Sequence, residues 1–263
     1  MNRCVMLTFV LLFALCLVAC SSPAQKSQPE PEPVVSVEPS SSEQSQTAPA
    51  AIVVFSDKNL ETAVRKAMNK PEGDITLEEA AQVQSLNVSN GSFGERNDSN
   101  NIKDISALGY FTGLKELDIS FNGISDLSPL SEISSLETLV FNGTLVEDLT
   151  PLKDLTNLNC LVFCWLHGDS GIPAGIGSLD ALSGLKNLEH IDAKNAGITD
   201  ITALANLPKL WDVQLNDNMI ADITPLARLT GLQIVLLEGN PVTDYSPLKD
   251  VYAQLDGKDF ELT

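Results

Sequence analysis

Positive charge is scarce in this sequence. Sixteen Lys and Arg stand against 35 Asp and Glu, a formal net charge of −19 at pH 7. Binding to phosphates needs a basic footprint, so this composition argues against nucleic acid and against broad adsorption to an anionic membrane surface. Steering favours cationic or neutral partners, and the same acidity keeps an exported chain soluble. Cysteine is sparse too. Of five, Cys4, Cys16 and Cys20 fall at the N-terminus, leaving Cys160 and Cys164 for the folded part. That excludes a disulfide-rich scaffold, so stability has to come from a hydrophobic core. A long apolar run is also missing. Residues 5–18 are apolar except for Thr8 and Cys16, too short a stretch to span a bilayer.

What the N-terminus does have is a secretory pattern. Met1-Asn2-Arg3 opens positively, the apolar stretch follows, and Leu17-Val18-Ala19-Cys20 gives way abruptly to Ser21-Ser22-Pro23. Leu17-Val18-Ala19-Cys20 resembles the bacterial lipobox. The resemblance implies cleavage of residues 1–19, lipid on the Cys20 thiol, and a protein on the cell surface or the extracytoplasmic face of the membrane. Its only membrane contact would then be that anchor. Loss of Arg3 would make the mature chain one unit more acidic.

Residues 20–50 read as the lipidated Cys and a disordered tether. Pro23, Pro29, Pro31, Pro33, Pro39 and Pro49 sit among Ser, Gln and Glu, with no aromatic to bury. The tether spans roughly 30 Å as a coil and roughly 90 Å as polyproline II. Order is expected from Ile52-Val53-Val54-Phe55 onward, with residues 51–82 forming an N-terminal cap. Within it, Ser56 or Asp57 caps a helix carrying Leu60, Ala63, Val64, Ala67 and Met68 on one face. Thr76 with Glu79 has the spacing of a capping box for a second helix.

Residues 83–253 repeat, in seven units. Leu114, Leu136 and Leu158 are 22 residues apart, as are Leu188, Leu210 and Leu232. The step from Leu158 to Leu188 carries eight extra residues, and the first unit carries nine. Each unit shows L-x-x-L-x-L, as in Leu114/Leu117/Ile119 or Leu210/Val213/Leu215, which predicts one short strand per unit with alternate residues inward. Asn100, Asn122, Asn218 and Asn240 follow at one position, where an amide can satisfy buried backbone groups; Thr144 and Ala196 stand there in other units. Asp104, Asp126, Asp148, Asp200, Asp222 and Asp244 form another column. Ser128-Pro129, Thr150-Pro151, Thr224-Pro225 and Ser246-Pro247 come two residues later and read as N-cap and first residue of a short helical turn. The remainder, 254–263, is expected to cover the C-terminal end.

The agreement of seven units, typified by Asn122-Gly123-Ile124-Ser125-Asp126-Leu127-Ser128-Pro129-Leu130, resembles the internalin-type leucine-rich repeat family. The resemblance covers nearly all of the chain expected to be ordered. It implies an α/β solenoid: a parallel β-sheet on the concave face, short helical turns on the convex face and a helical cap at the N-terminus. It also implies a concave face that holds a protein or peptide. Many relatives carry a wall-sorting signal, and the lipid expected on Cys20 would take its place.

If the leucines point inward, the residues between them line the concave face. Val140, Cys160, Val162, Cys164 and Trp165 then place apolar groups at its centre, and Ile234 and Leu236 form a second apolar spot. His190, Asp192, Lys194, Asp212 and Gln214 lie between the two. Apolar groups inside a polar rim mark a contact site, with Trp a common anchor. The competing expectation is that the long insertion after Trp165 folds over the centre and buries it.

Chemistry reads weaker. Cys160, His190 and Asp192 face one way, yet a repeat surface offers no evident oxyanion pocket. An extended strand separates Cys160 from Cys164 by roughly 13 Å, too far for one metal ion or a disulfide. The sequence therefore points to a monomeric binding module, not an enzyme, with no cofactor and no metal. Its ligand is expected to be a protein or peptide, with a carbohydrate or cell-wall glycan as the alternative.

Overall fold

The computed structural model describes residues 51–92, 98–167 and 175–262. The expected signal, Cys20 and the tether lie outside the described residues, as do parts of both repeat insertions.

The cap forms where its local signals lie. Helix α1 (Lys58–Ala67) buries Leu60 and Val64, one turn apart on a single face. Asp57 caps it, accepting from the backbone N–H of Asn59 and Leu60. The second oxygen of Asp57 accepts from Lys103 (2.8 Å) and Asp104 (3.2 Å), tying the cap to the first repeat. Burial pushes the Asp57 carboxyl up, but these backbone donors outweigh it and hold the group below the usual carboxylate range. Helix α2 (Leu77–Ala81) begins with the expected capping box: Thr76 and Glu79 each take the other's backbone N–H. Ile52 bridges to Thr76 in antiparallel fashion, which docks the run before α1.

From there the chain coils. Strands β1 (Ser85–Asn87), β2 (Glu116–Asp118), β3 (Thr138–Val140) and β4 (Cys160–Val162) pair side by side. After β5 (Gly177–Ser178) come β6 (His190–Asp192), β7 (Ile198–Asp200), β8 (Asp212–Gln214), β9 (Ile234–Leu236) and β10 (Gly257–Lys258). Eight of these make one parallel sheet in the order β1-β2-β3-β4-β6-β8-β9-β10, while β5 and β7 form a separate parallel pair. Register follows the repeat: Leu117 lies opposite Leu139, Leu139 opposite Leu161, and Leu161 opposite Ile191 across the insertion. The ladder leucines are buried, as expected. Phe141 and Phe163 extend the inner column and stack at 5.2 Å, with the small Ala193 next in line.

The turn half of each unit corrects one expectation. The 3-10 turns do begin at Ser128, Thr150, Thr224 and Ser246, but those side chains are not the caps. The Asp two residues earlier is. Asp126, Asp148, Asp222 and Asp244 each accept the backbone N–H of the Ser or Thr at 2.8 Å, as do Asp104 and Asp200 for Ser106 and Thr202. Ser and Thr already stand inside the turn beside Pro, so the orphan N–H is their own.

The Asn column works as expected at three positions. The Asn122 amide donates to the carbonyls of Val88, Ile119 and Ser120 and accepts from Ile102. Asn218 and Asn240 repeat the pattern, and Thr144 donates to Phe141 in the same place. Asn100 departs from it. It is exposed at the end of a 3-10 turn formed by Asp98–Asn100. Its neighbour Asn101 takes the Gly123 N–H.

Both ends are closed by specific groups. A Cβ on Gly113 would lie 2.1 Å from the Ala81 carbonyl, so only glycine lets the cap approach this closely. At the far end, β10 adds an edge strand that the leucine pattern does not announce. Asp259 then accepts the N–H groups of Leu237 and Glu238, and Tyr245 stacks on Phe260 at 4.6 Å. Among the described residues, no helix is long and apolar enough to cross a membrane.

Candidate functional site

Three outward columns run across the concave sheet. Register fixes the first as Ser85, Glu116, Thr138, Cys160, His190, Asp212 and Ile234. The second is Asn87, Asp118, Val140, Val162, Asp192, Gln214 and Leu236. The third follows the strands and includes Ser120, Asn142, Cys164, Lys194, Asn216 and Glu238.

The centre of this face is not the exposed apolar patch expected from the sequence. Val140 is 5% exposed and Val162 3%, and Cys164 is fully buried. They face outward yet are nearly closed to solvent, and they stand apart from the hydrophobic core that the ladder leucines make. Two carboxylates go the same way, with Asp192 at 3% and Asp212 at 0%. Alternation along a strand sets the direction of a side chain, not its depth. A short group flanked on both sides by neighbours roughly 4.8 Å away loses most of its access to water. Cys160, His190, Gln214, Ile234, Leu236, Lys194 and Trp165 keep partial exposure.

The buried acids are partnered, as burial of charge requires. Asp212 meets His190 Nδ1 at 2.9 Å through Oδ2 and takes the Gln214 side-chain amide at 3.1 Å through Oδ1. Asp192 takes the Cys164 thiol, Sγ to Oδ1 2.9 Å. The structure therefore gives His190 a different carboxylate from the Asp192 considered in the sequence, and it removes Cys164 from the surface. Lys194 pairs with Asp217 at 3.0 Å. Toward the N-terminal end, burial pushes the Asp118 carboxyl up against the opposing hydrogen bonds from Ser120 and Asn87.

One column lay unseen in the sequence reading. Phe121, Gly143, Trp165, Asn195, Asp217 and Gly239 occupy one place in successive units, and all have φ between +50° and +82°. Gly, Asn and Asp suit this left-handed conformation, whereas bulky aromatics do not. The recurrence of Gly, Asn and Asp at that spacing was the available signal. Trp165 is therefore not a continuation of strand β4, because the chain has already turned there. The Phe121 ring lies over Gly143, where a Cβ would come within 2.8 Å of it. His167, also left-handed, is buried beside Glu147, with Nε2 3.2 Å from Oε1. Beside the sheet, an open polar groove of about 200 Å³ is lined by Glu137, Asn157, Asn159, Asn187, Glu189 and Lys209.

No protein-family model matches the sequence, and no curated protein matches it. Solved structures do. Internalin C2 from Listeria monocytogenes is 29% identical, with TM-score 0.60, over 84% of this chain and 100% of its own. A leucine-rich repeat protein of Leptospira interrogans is 18% identical, with TM-score 0.57, over 70% of this chain and 44% of its own. The plant peptide hormone receptor RGFR1, in complex with RGF2, is 17% identical, with TM-score 0.54, over 71% and 30%. The structural neighbours of this chain are thus internalins and other leucine-rich repeat proteins, and its own fold is a leucine-rich repeat solenoid.

Proposed function

We propose that this chain is a lipid-anchored, extracytoplasmic binding module that holds a protein or peptide on its concave sheet and catalyses no reaction. The lipobox-like Leu17-Val18-Ala19-Cys20 and the Pro-rich tether support the anchoring. Internalin-like neighbours support a role outside the cytoplasm, and a peptide receptor among the structures of this fold supports the kind of ligand.

The observation that carries the reading is the continuous eight-stranded face, with its half-exposed groups in two zones. Cys160, Trp165, His190, Lys194 and Gln214 form the central zone; Ile234 and Leu236 form the other, near the C-terminal end. This set replaces the wider patch read from the sequence, since Val140, Val162, Cys164, Asp192 and Asp212 are buried. An acidic surround with apolar anchors suits a partner bearing basic side chains.

The test is capture from envelope and host extracts by the full chain, wild type against Trp165→Asn. Asn suits the left-handed backbone at 165, so the thermal midpoint should stay within about 5 °C while the captured protein is lost. Unchanged capture would remove Trp165 from the site. The polar groove beside the sheet favours glycan as a second reading, and retention on an immobilised glycan array with no captured protein would select it.

A further inference from the structure

Beside the concave sheet, where each unit bends from its 3-10 turn into its strand, polar residues form two rows across successive units. Backbone bonds fix the first row. Asn159 donates its N–H to the Glu137 carbonyl at 2.8 Å, Glu189 to that of Asn159 at 2.8 Å, and Trp211 to that of Glu189 at 3.0 Å. Asn157, Asn187 and Lys209 make the second row, each two residues earlier in its unit and parted from the first row by a buried leucine, Leu158, Leu188 or Leu210. Three steps of about 4.8 Å carry the rows over roughly 14 Å. Glu137, Asn157, Asn159, Asn187, Glu189 and Lys209 together line the groove of about 200 Å³.

The second row is tied down. Asn157 Nδ2 donates to Ser134 O and Asn187 Nδ2 to Thr156 O, and Lys209 Nζ donates to Asn187 Oδ1, all at 2.8 Å. Polar groups already held by the fold lower the ordering cost of a ligand. In the first row Glu137 pairs with Lys115 at 3.0 Å. The side chains of Asn159 and Glu189 have no hydrogen-bond or ion-pair partner among the described residues. Formal charge balances, because Lys115 matches Glu137 and Lys209 offsets Glu189. Amides, carboxylates and an ammonium set donors beside acceptors, which complements hydroxyls, since each hydroxyl both donates and accepts. Two carboxylates repel an anion, and among the described residues no third His, Cys, Asp or Glu joins them to hold a metal ion. The volume is below the ~300 Å³ at which sites for drug-sized ligands begin, so one small unit of a longer chain fits it. Trp211, half-exposed, follows Glu189 in the first row, where an indole supplies apolar contact at low entropic cost.

We propose that this groove is a saccharide site that takes one pyranose unit of a neutral glycan through its hydroxyls. The Glu189 carboxylate accepts from hydroxyls, the Asn159 amide both donates and accepts, and the Lys209 ammonium donates. The groove shares no residue with the two zones assigned to a protein or peptide on the concave sheet. It gives the second reading above a place and a ligand chemistry, and it stands whether or not the sheet holds a protein.

The experiment passes the full chain over an array of neutral oligosaccharides (chitotetraose, cellotetraose and maltotetraose) and acidic ones (sialyllactose and oligogalacturonate). Retention on at least one neutral member and on no acidic member is expected. Asn159→Ala and Glu189→Gln alter side chains without a partner in the fold, so the thermal midpoint should hold. Each should nonetheless weaken retention about tenfold or more. Glu132→Gln, at an exposed position outside the groove, should leave retention alone. Trp165→Asn, expected to lose the captured protein, should also leave it alone. Retention on no neutral member, wild-type retention by both groove variants, or a preference for the acidic members would overturn the proposal. An empty array with protein capture intact would do so while leaving the concave reading standing. Groove-dependent glycan retention with no captured protein would do the reverse.

Discussion

Asn218 offers a sharp test of how the solenoid is held. Its side chain is 5% exposed. Its Oδ1 accepts the N–H groups of Ala196 and Ile198, both at 3.0 Å. Its amide donates to the carbonyls of Ala193 (2.8 Å), Leu215 (2.9 Å) and Asn216 (3.2 Å). Asn218→Ala orphans two buried N–H groups, each at a cost of about 1–3 kcal/mol. The carbonyls lose less, because Leu215 O keeps a donor in Asn240 Nδ2 at 2.8 Å. The sum is about 3–5 kcal/mol, or roughly 8–15 °C in the thermal midpoint of a domain this size. Calorimetry of the full chain reads it. Two companions calibrate the result. Asn100→Ala, at an exposed site in the same sequence column, should cost no more than about 0.5 kcal/mol. Asn218→Asp keeps an acceptor for the two N–H groups but sets a charge against three carbonyls, so it should also destabilise. If Asn218→Ala were as mild as Asn100→Ala, the ladder would not be what joins the turns.

The Asp column predicts acid sensitivity. Side-chain and backbone donors from Thr150, Thr202, Thr224 and Ser246 hold Asp148, Asp200, Asp222 and Asp244 below the usual carboxylate range. A depressed folded value stabilises fully above the unfolded pKa of about 4 and loses that contribution as pH falls through the folded values. The thermal midpoint should therefore drop below pH ~4, and Asp200→Asn with Asp222→Asn should flatten that drop while keeping the turn hydrogen bonds; an unflattened curve would assign the acid sensitivity elsewhere. Gly113→Ala forces a Cβ onto the Ala81 carbonyl and should cost about 3 kcal/mol by urea unfolding, whereas Gly231→Ala, whose nearest atom is 3.7 Å away, should cost under about 1. Equal effects would show that the cap is not held there. Cys20→Ala should move the protein from the membrane fraction to the medium, and continued membrane retention would count against lipidation.

Much of the fold was legible because each unit repeats its own physics. The 22-residue spacing of the leucines gives the register directly, and the Thr76/Glu79 box is found where its spacing places it. What sequence order left hidden depends on depth and on turn geometry. Val140 and Asp212 face outward yet are buried, since strand alternation says nothing of what the flanking side chains cover. The capping role passed from Ser128 and its equivalents to Asp126 and its equivalents because a two-residue offset decides which N–H is orphaned. Strand β10 was hidden because Gly257 and Lys258 carry no leucine of the repeat. The pairing of His190 with Asp212 instead of Asp192 follows from cross-strand proximity: neighbours in one row are nearer than residues two apart on one strand.

The central claim, that the concave sheet is the binding face, is tested most directly by site-specific photocrosslinking on the intact chain. A photoreactive residue at Gln214, half-exposed on β8, is compared with one at Asp222, exposed on the turn side of the same unit. A partner protein crosslinked from Gln214 and not from Asp222 is the result expected here. Crosslinking from Asp222 alone would contradict it.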